Sequence, residues 1–139
     1  MNVFFDNCTS PVLARTLDGF ISNFDDRAFH IGDISGMPNG RNASDLDWIR
    51  FLKSSNTHWI FISNDRRILK NSAERIALRA AGLHGFVFAQ GYQKMPTHQA
   101  ASNLIWRWPD IVHITELVQA PAMHEIPVSR GAKLRSLSF

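Results

Sequence analysis

The run Trp59-Ile60-Phe61-Ile62 is the feature that most constrains the fold of this chain. Four consecutive apolar residues are typical of a parallel strand that is covered on both faces. The run ends abruptly on three polar residues, Ser63, Asn64 and Asp65. A strand of this kind needs helices on both sides of its sheet, so it predicts an α/β domain.

Other apolar runs alternate with helical patterns along the chain. Strands are predicted at residues 2–6, 28–31 and 85–89, in addition to 59–62. Helices are predicted from Pro11 through Phe24, from Ser44 to about Ser54, from Asn71 or Ser72 to Ala81, and from Thr97 to Trp108. This order predicts a single three-layer α/β/α domain over residues 1–139, with a mostly parallel sheet.

The predicted helix ends depend on a few capping residues. Ser10 caps the first helix, Ser44 and Asp47 form a capping box for the second, and Gly82 ends the third. Pro109 is predicted to stop the fourth. Beyond it, residues 111–118 and 123–128 are predicted as strands, and the tail 129–139 is either a docking strand or a flexible arm.

Composition limits the class of protein. The 139 residues are 45% hydrophobic, enough for one core, and no stretch approaches the roughly 18 apolar residues of a membrane helix. No signal-type segment is seen at the N-terminus, and Cys8 is the single cysteine. We therefore expect a cytoplasmic protein without membrane contact. The net charge of +3 permits an anionic partner but identifies none.

Acidic residues fall where parallel strands present ligands. Asp6 ends the first strand, Asp65 follows the strand at 59–62, and Asp45 and Asp47 lie in the first turn of the helix between them. Clustered carboxylates repel one another unless a cation neutralises them, and oxygen ligands without histidine or cysteine suit Mg²⁺ or Mn²⁺. The pattern predicts a metal site that performs phosphoryl chemistry.

Each acid also has a simple structural explanation. Asp6 can hydrogen-bond the following turn, Asp45 can favour the helix dipole, and Asp47 is explained by the capping box. Asp65 has two basic neighbours in sequence with which it can pair. The metal hypothesis therefore depends on the joint placement of these residues.

Three segments together resemble a known family. Asp6 ends a strand and is followed by a Ser-Pro helix start; Asp45-Leu-Asp-Trp-Ile opens a helix; and Ile60-Phe-Ile-Ser-Asn-Asp65 ends a strand. This combination resembles the PIN domain, in particular the small PIN-like branch that includes the toxins of VapBC-type toxin–antitoxin pairs. The resemblance covers residues 2 to about 90.

The resemblance implies a metal-dependent endoribonuclease that hydrolyses single-stranded RNA, with Asp6, Asp45 and Asp65 as metal ligands and catalytic residues. Ser63 matches the hydroxyl residue that orients the last acid, and Asn7 and Asn64 are supporting polar groups. Two departures stand out: Arg67 lies near the place of a further acid, and no Glu precedes Glu74. Asp33 or Asp47 would have to substitute; otherwise the site holds one metal, binds it weakly or is inactive.

The expected partners follow from the same resemblance. They are RNA, gripped by Arg66, Arg67 and Lys70, and an antitoxin that covers the acidic cleft. Trp106 or Tyr92 is a candidate for stacking on RNA bases, with packing as the alternative. A homodimer is also expected, through Leu104-Ile105-Trp106 or the C-terminal tail.

Two other functional classes stay open at this point. The first is a catalytically silent α/β module that binds protein or RNA, which the missing acid favours. The second is a phosphatase or phosphoacceptor domain, against which the lack of a second acid beside Asp6 argues. The six histidines form no recognisable zinc set, and Cys8 is predicted to be a buried structural residue.

Overall fold

The sheet of the computed structural model, which describes residues 1–139, has six strands in the order β2-β1-β3-β4-β5-β6. The strands are β1 (Asn2–Phe5), β2 (Arg27–His30), β3 (Trp59–Ser63), β4 (His84–Phe88), β5 (Ala122–Ile126) and β6 (Arg135–Leu137). All neighbours pair in parallel except β5 and β6, which pair antiparallel. This confirms the predicted α/β fold with a mostly parallel sheet.

Four α-helices cover the two faces of the sheet. They are α1 (Pro11–Ile21), α2 (Asp45–Ser54), α3 (Ser72–Ala81) and α4 (Thr97–Leu117). The helices α1 and α4 pack together on one face and α2 and α3 on the other. The strand β3 is buried along its whole length, as its apolar run predicts.

The predicted helix caps are present. The Ser10 hydroxyl accepts a hydrogen bond from the backbone N–H of Val12 at the start of α1. Ser44 and Asp47 exchange the two hydrogen bonds of a capping box at the start of α2. Gly82 ends α3 in the left-handed conformation (φ 64°), which glycine adopts without strain.

The predicted helix at residues 97–108 is confirmed, but its predicted end at Pro109 and the predicted strand at residues 111–118 are wrong. Pro109 lies inside α4, which continues to Leu117, and residues 111–118 form no strand. Proline removes one hydrogen bond from a helix interior. Here Arg107, Trp108 and Ile111 are all buried around Pro109, and this packing outweighs the lost bond.

The tail forms the last strand of the sheet at residues 135–137, which is the docking-strand alternative. Arg107, buried in α4, donates hydrogen bonds to the carbonyls of Ser129 and Ala132 and so fixes the segment that leads into β6. None of the helices combines the length and the apolar character needed to cross a membrane.

The topology creates a crevice between β1 and β3. These strands are neighbours, but the chain leaves β1 through α1 toward β2 and leaves β3 through α3 toward β4, on opposite faces. In open α/β sheets, ligands bind beyond the carboxyl ends of strands at such a switch point. The residues that follow β1 and end β3 are therefore the place to look for a site.

Candidate active site at the carboxyl edge

Asp6 is the buried centre of this edge. It directly follows β1, and only 1% of its surface is exposed. Its Oδ2 accepts a hydrogen bond from Ser63 Oγ at 2.5 Å, and its Oδ1 accepts one from the backbone N–H of Cys8 at 3.2 Å. Burial, helped by the charges of Asp45 and Asp65, raises the pKa of Asp6 to about 7 against the opposing hydrogen bonds from Ser63 and Cys8.

Ser63 joins the two strand ends. It is fully buried as the last residue of β3. Its hydroxyl donates to Asp6 and accepts a hydrogen bond from the backbone N–H of Asp65 at 3.0 Å. One side chain thus fixes both the Asp6 carboxylate and the start of the loop that carries Asp65.

Asp65 is held by an arginine two residues later. Its Oδ1 accepts hydrogen bonds from the backbone N–H and from Nε of Arg67, and its Oδ2 accepts one from Nη2, each at 2.9 Å. This fork lowers the pKa of Asp65, although partial burial opposes it. Arg67 itself is 86% exposed, so the guanidinium covers the carboxylate from the solvent side.

Asp45 and Glu74 meet across the second and third helices. Asp45 begins α2, and its Oδ1 accepts a hydrogen bond from Trp48 Nε1 at 2.8 Å. Glu74 lies in the first turn of α3. Burial raises the pKa of Glu74, and so do the nearby charges of Asp45 and Asp65. Glu74 is therefore a fourth acid at this edge.

Sequence reasoning missed Glu74 as a site residue. The family resemblance implies a glutamate on an earlier helix, and the chain has no glutamate before Glu74. The signal was nevertheless present: Glu74 lies in the first turn of its helix, as Asp45 does. Such positions on consecutive helices face the same sheet edge when the strands between them are parallel.

The two proposed substitutes lie elsewhere. Asp33 pairs with Arg15 at 3.3 Å, and Asp47 is occupied by the capping box and by Asn39 Nδ2. Neither contributes to the pKa of Asp6. The structure brings together Asp6, Asp45, Asp65 and Glu74 instead.

The residues that are predicted to support the site or to bind RNA differ in their contacts. Arg66 pairs with Glu125 of β5, while Lys70 is exposed and makes no ion pair. The Asn7 amide reaches the carbonyl of Arg41 at 3.5 Å. Tyr92 is buried, and its hydroxyl donates to the carbonyl of Pro127 at 2.8 Å. Tyr92 is therefore a packing residue and is not free to stack on a base.

The sequence predicts base stacking at Trp106 and a dimer surface at Leu104-Ile105-Trp106. Trp106 is 56% exposed and lies under the guanidinium of Arg130, 4.9 Å from the ring centroid. Leu104 is fully buried. Leu104 therefore contributes nothing to a dimer surface on α4.

Cys8 differs from its prediction. It is exposed beside the acids, with its Sγ 3.9 Å from Asp65 Oδ2, and is not a buried structural residue. Partial burial and the surrounding carboxylates raise the pKa of its thiol to about 11. The thiol therefore stays protonated at neutral pH, which argues against a nucleophilic cysteine.

A cavity of about 430 Å³ opens beside Asp65. Its polar lining includes Asn64, Arg66, Arg67, Gln90 and Gln93, and Phe88 contributes apolar surface. This volume lies within the roughly 300–1,000 Å³ of small-molecule sites. The cavity gives the acidic edge an adjoining space for part of a ligand.

The residue types at this edge fit a hard divalent cation. The four acids supply only oxygen ligands. Burial and, to a smaller extent, the charges of neighbouring acids raise the pKa of Asp6 and Glu74, and a cation relieves both effects. As the side chains stand, no three acidic, histidine or cysteine residues are arranged to hold a metal ion. Both oxygens of Asp65 accept hydrogen bonds from Arg67, whereas Asp45 uses only Oδ1, with Trp48, so a metal ion at Asp65 has to compete with Arg67.

The part of the chain that carries this acidic edge matches a known protein family. A family model described as a PIN like domain matches residues 1–90, which include all four acids. No curated protein and no solved structure matches the chain. Domains of this type are typically nucleases, and they generally use divalent metal ions.

Proposed function

Because the chain belongs to the PIN-like domain family, we propose that it is a Mg²⁺- or Mn²⁺-dependent endoribonuclease acting on single-stranded RNA. One observation carries the proposal. Asp6 is buried between the ends of β1 and β3, and the charges of Asp45 and Asp65 help to raise its pKa to about 7. A buried carboxylate among other acids is destabilising by itself, and such groups cluster at functional sites.

The acids would hold the metal ion, and the basic residues would bind the RNA. Asp6, Asp45, Asp65 and Glu74 are the ligands we assign. When bound, the divalent ion supplies Lewis-acid activation of a phosphate oxygen and of the attacking water.

The chain's own residues prepare this site. Ser63 fixes the orientation of Asp6 through the hydrogen bond at 2.5 Å. Arg67, once it leaves Asp65, can contact a neighbouring phosphate together with Lys70 and with Arg66, which is 41% exposed. A phosphodiester transition state needs its charge neutralised more than it needs a nucleophilic side chain. The protonated thiol of Cys8 agrees with this scheme.

The toxin role is a finer part of the proposal. We propose that the nuclease is the toxin of a type II toxin–antitoxin pair in the cytoplasm, on the strength of the sequence resemblance. Its antitoxin would place a segment over the acidic edge. Because Arg67 already neutralises Asp65, the antitoxin need only cover the remaining acids. A homodimer through the exposed Trp106 region or the tail is part of the same proposal.

A cleavage assay tests the nuclease. Wild type, Asp6→Asn and Asp65→Asn would be incubated with a mixed single-stranded RNA pool in Mn²⁺, in Mg²⁺ and in EDTA. We expect metal-dependent cleavage by the wild type and a loss of at least about 100-fold in both variants, the usual scale for removing a catalytic group. Asp25→Asn is the matched control because Asp25 is exposed just before β2, at the opposite edge. Equal background cleavage in all four proteins would overturn the proposal.

A specific observation favours a second candidate, a catalytically silent RNA- or protein-binding module. Both oxygens of Asp65 are bonded to Arg67, and Asp45 is bonded to Trp48. In an inactive PIN-like domain, these hydrogen bonds would persist and no metal ion would replace them. The same assay decides, since a silent module binds RNA without metal-dependent cleavage.

A further inference from the structure

Gln90 and Gln93 present two amide groups on one side of a short 3₁₀-helix, Gln90–Lys94, that follows β4. A 3₁₀-helix has three residues per turn, so side chains three apart lie one above the other. Both glutamines are exposed, and both line the cavity beside Asp65. No contact within the protein explains the pair.

The backbone under these glutamines is fixed from three directions. Tyr92 is buried, packs its ring against Phe88 with centroids 4.7 Å apart, and donates a hydrogen bond to Pro127. The backbone N–H of Ala89 donates to the carbonyl of Ile126 at 3.0 Å. At Gly91, an added Cβ would lie 2.8 Å from Val128 Cγ2. The two amides are therefore carried by a rigid segment, which favours selective binding.

A third amide lies at the back of the same cavity. Asn64 is half-buried between β3 and Asp65, and its Oδ1 is buried without a hydrogen-bond partner. An unpaired buried acceptor is unfavourable, so a ligand that brings a donor into the cavity relieves it. Phe88 adds apolar surface to the cavity lining. Amide groups such as these hydrogen-bond the edges of unstacked bases in single-stranded RNA.

We propose that this cavity binds one nucleobase next to the scissile phosphate, and that Gln90 and Gln93 make adenine the preferred base. The proposal rests on the nuclease assignment for the identity of its ligand, an RNA strand. A glutamine amide carries a donor and an acceptor side by side, and adenine offers the complementary pair on its edge. The cavity adjoins Asp65, so a base there would lie one nucleotide or less from the acids.

The experiment measures binding in EDTA, where cleavage cannot occur. Fluorescence anisotropy would give the affinity of the full chain for adenosine and uridine hexamers. We expect the wild type to bind the adenosine hexamer at least about five-fold more tightly, the lower end for one bidentate contact to a base. The double variant Gln90→Ala/Gln93→Ala should lose this preference. Gln119→Ala, an exposed glutamine at the opposite edge before β5, should keep it.

A second readout uses the cleavage assay. We expect adenine to be enriched beside the cut positions for the wild type and for Gln119→Ala, and the enrichment to vanish in the double variant. Equal hexamer affinities in wild type and double variant, or cleavage whose base preference ignores the two glutamines, would overturn the base site and leave the nuclease intact. Adenine preference in EDTA without any cleavage in metal would retain the base site and overturn the nuclease.

Discussion

The buried carboxylate of Asp6 lies at the carboxyl ends of β1 and β3, among further acids and beside a cavity. By contrast, two buried histidines, His84 of β4 and His124 of β5, lie within the sheet, and the Nδ1 of each has no hydrogen-bond partner. We call these the carboxyl-edge region and the histidine region. Burial favours the neutral form in both, since it raises the pKa of Asp6 to about 7 and lowers the pKa of His84 and His124.

The difference between the regions lies in what relieves the burial. In the carboxyl-edge region, acidic side chains cluster beside an open cavity, so an added cation can compensate their negative charge. In the histidine region the rings are buried, and His124 packs against Phe86 with centroids 5.9 Å apart. The comparison teaches that a buried titratable group can lie beside open space, as in the first region, or contribute to close packing, as in the second.

The largest effect is expected from overfilling the face of β4 that lies opposite the histidines. An Ala Cβ at Gly85 would lie 2.2 Å from Phe61 Cζ and 2.4 Å from Met123 Sδ. We expect Gly85→Ala to lower the free energy of unfolding by about 3 kcal/mol, the usual scale of overpacking, as measured by urea denaturation. Gly19→Ala is the control, because it has no atom within 4 Å and lies inside α1. An unchanged midpoint for Gly85→Ala would show that the core around Phe61 and Met123 is loosely packed.

The next effect comes from neutralising the carboxyl-edge region. Below pH 4, Asp6 is protonated in both the folded and the unfolded chain; between pH 4 and pH 7 only the unfolded chain releases the proton, so stability falls as the pH rises. A pKa raised from 3.8 to about 7 corresponds to at most about 4 kcal/mol. We expect the free energy of unfolding of Asp6→Asn at pH 7 to exceed that of the wild type by about 2 kcal/mol, as measured by urea denaturation.

The pH dependence provides the check on that expectation. The advantage of Asp6→Asn should shrink as the pH is lowered from 7 to 4, because the wild-type carboxyl becomes neutral as well. Asp25→Asn, at an exposed site, should match the wild type at every pH. A gap between Asp6→Asn and wild type that is constant over this range would contradict the raised pKa.

Acid should act on the histidine region with the opposite sign. Because burial lowers the pKa of His124, the unfolded chain takes up a proton below about pH 6.5 while the folded chain does not, so stability falls as the pH drops. We expect His124→Phe to gain about 1 kcal/mol over the wild type at pH 5 and less at pH 7. Thermal unfolding at both pH values measures this; the exposed His98→Phe should show no such pH dependence.

The smallest effect on stability is expected at Arg67. Its ion pair with Asp65 is largely exposed on the arginine side, so Arg67→Ala should leave the unfolding midpoint unchanged within error. Mn²⁺ affinity should instead rise several-fold, because Asp65 is freed, and isothermal titration calorimetry measures this. Arg75→Ala, an exposed arginine of α3, is the control. Unchanged Mn²⁺ affinity in Arg67→Ala would mean that Asp65 is not a metal ligand.

The fold was largely predictable because its signals are local. The apolar run of β3, the Ser10 and Ser44 caps and the Gly82 ending all lie in contiguous sequence and all appear in the structure. The error at Pro109 has the opposite origin. Whether a helix continues through proline depends on packing from distant segments, here the tail carbonyls that Arg107 binds, and no local pattern reports it.

The candidate site was predictable only in part. The placement of Asp6 and Asp65 follows from strand ends, which sequence reveals. The contribution of Glu74, the exposure of Cys8 and the fork between Arg67 and Asp65 depend on side-chain directions at a junction of three loops. Those directions are set by the turn after β1 and the 3₁₀ turn at Arg66–Leu69, which spacing alone does not determine.

The short last strand has a consequence for local opening. Only three residues, Arg135–Leu137, hold β6, and β5 is its single neighbour in the sheet. Amide hydrogens in such an edge strand exchange with solvent through local fraying, far more readily than those of the buried strand β3. Arg135 and Arg66 both form ion pairs with Glu125. When β6 frays, the pair with Arg135 breaks and Glu125 stays paired with Arg66 alone. The exchange rate at the end of the chain is thereby coupled to how firmly an arginine is held at the rim of the cavity.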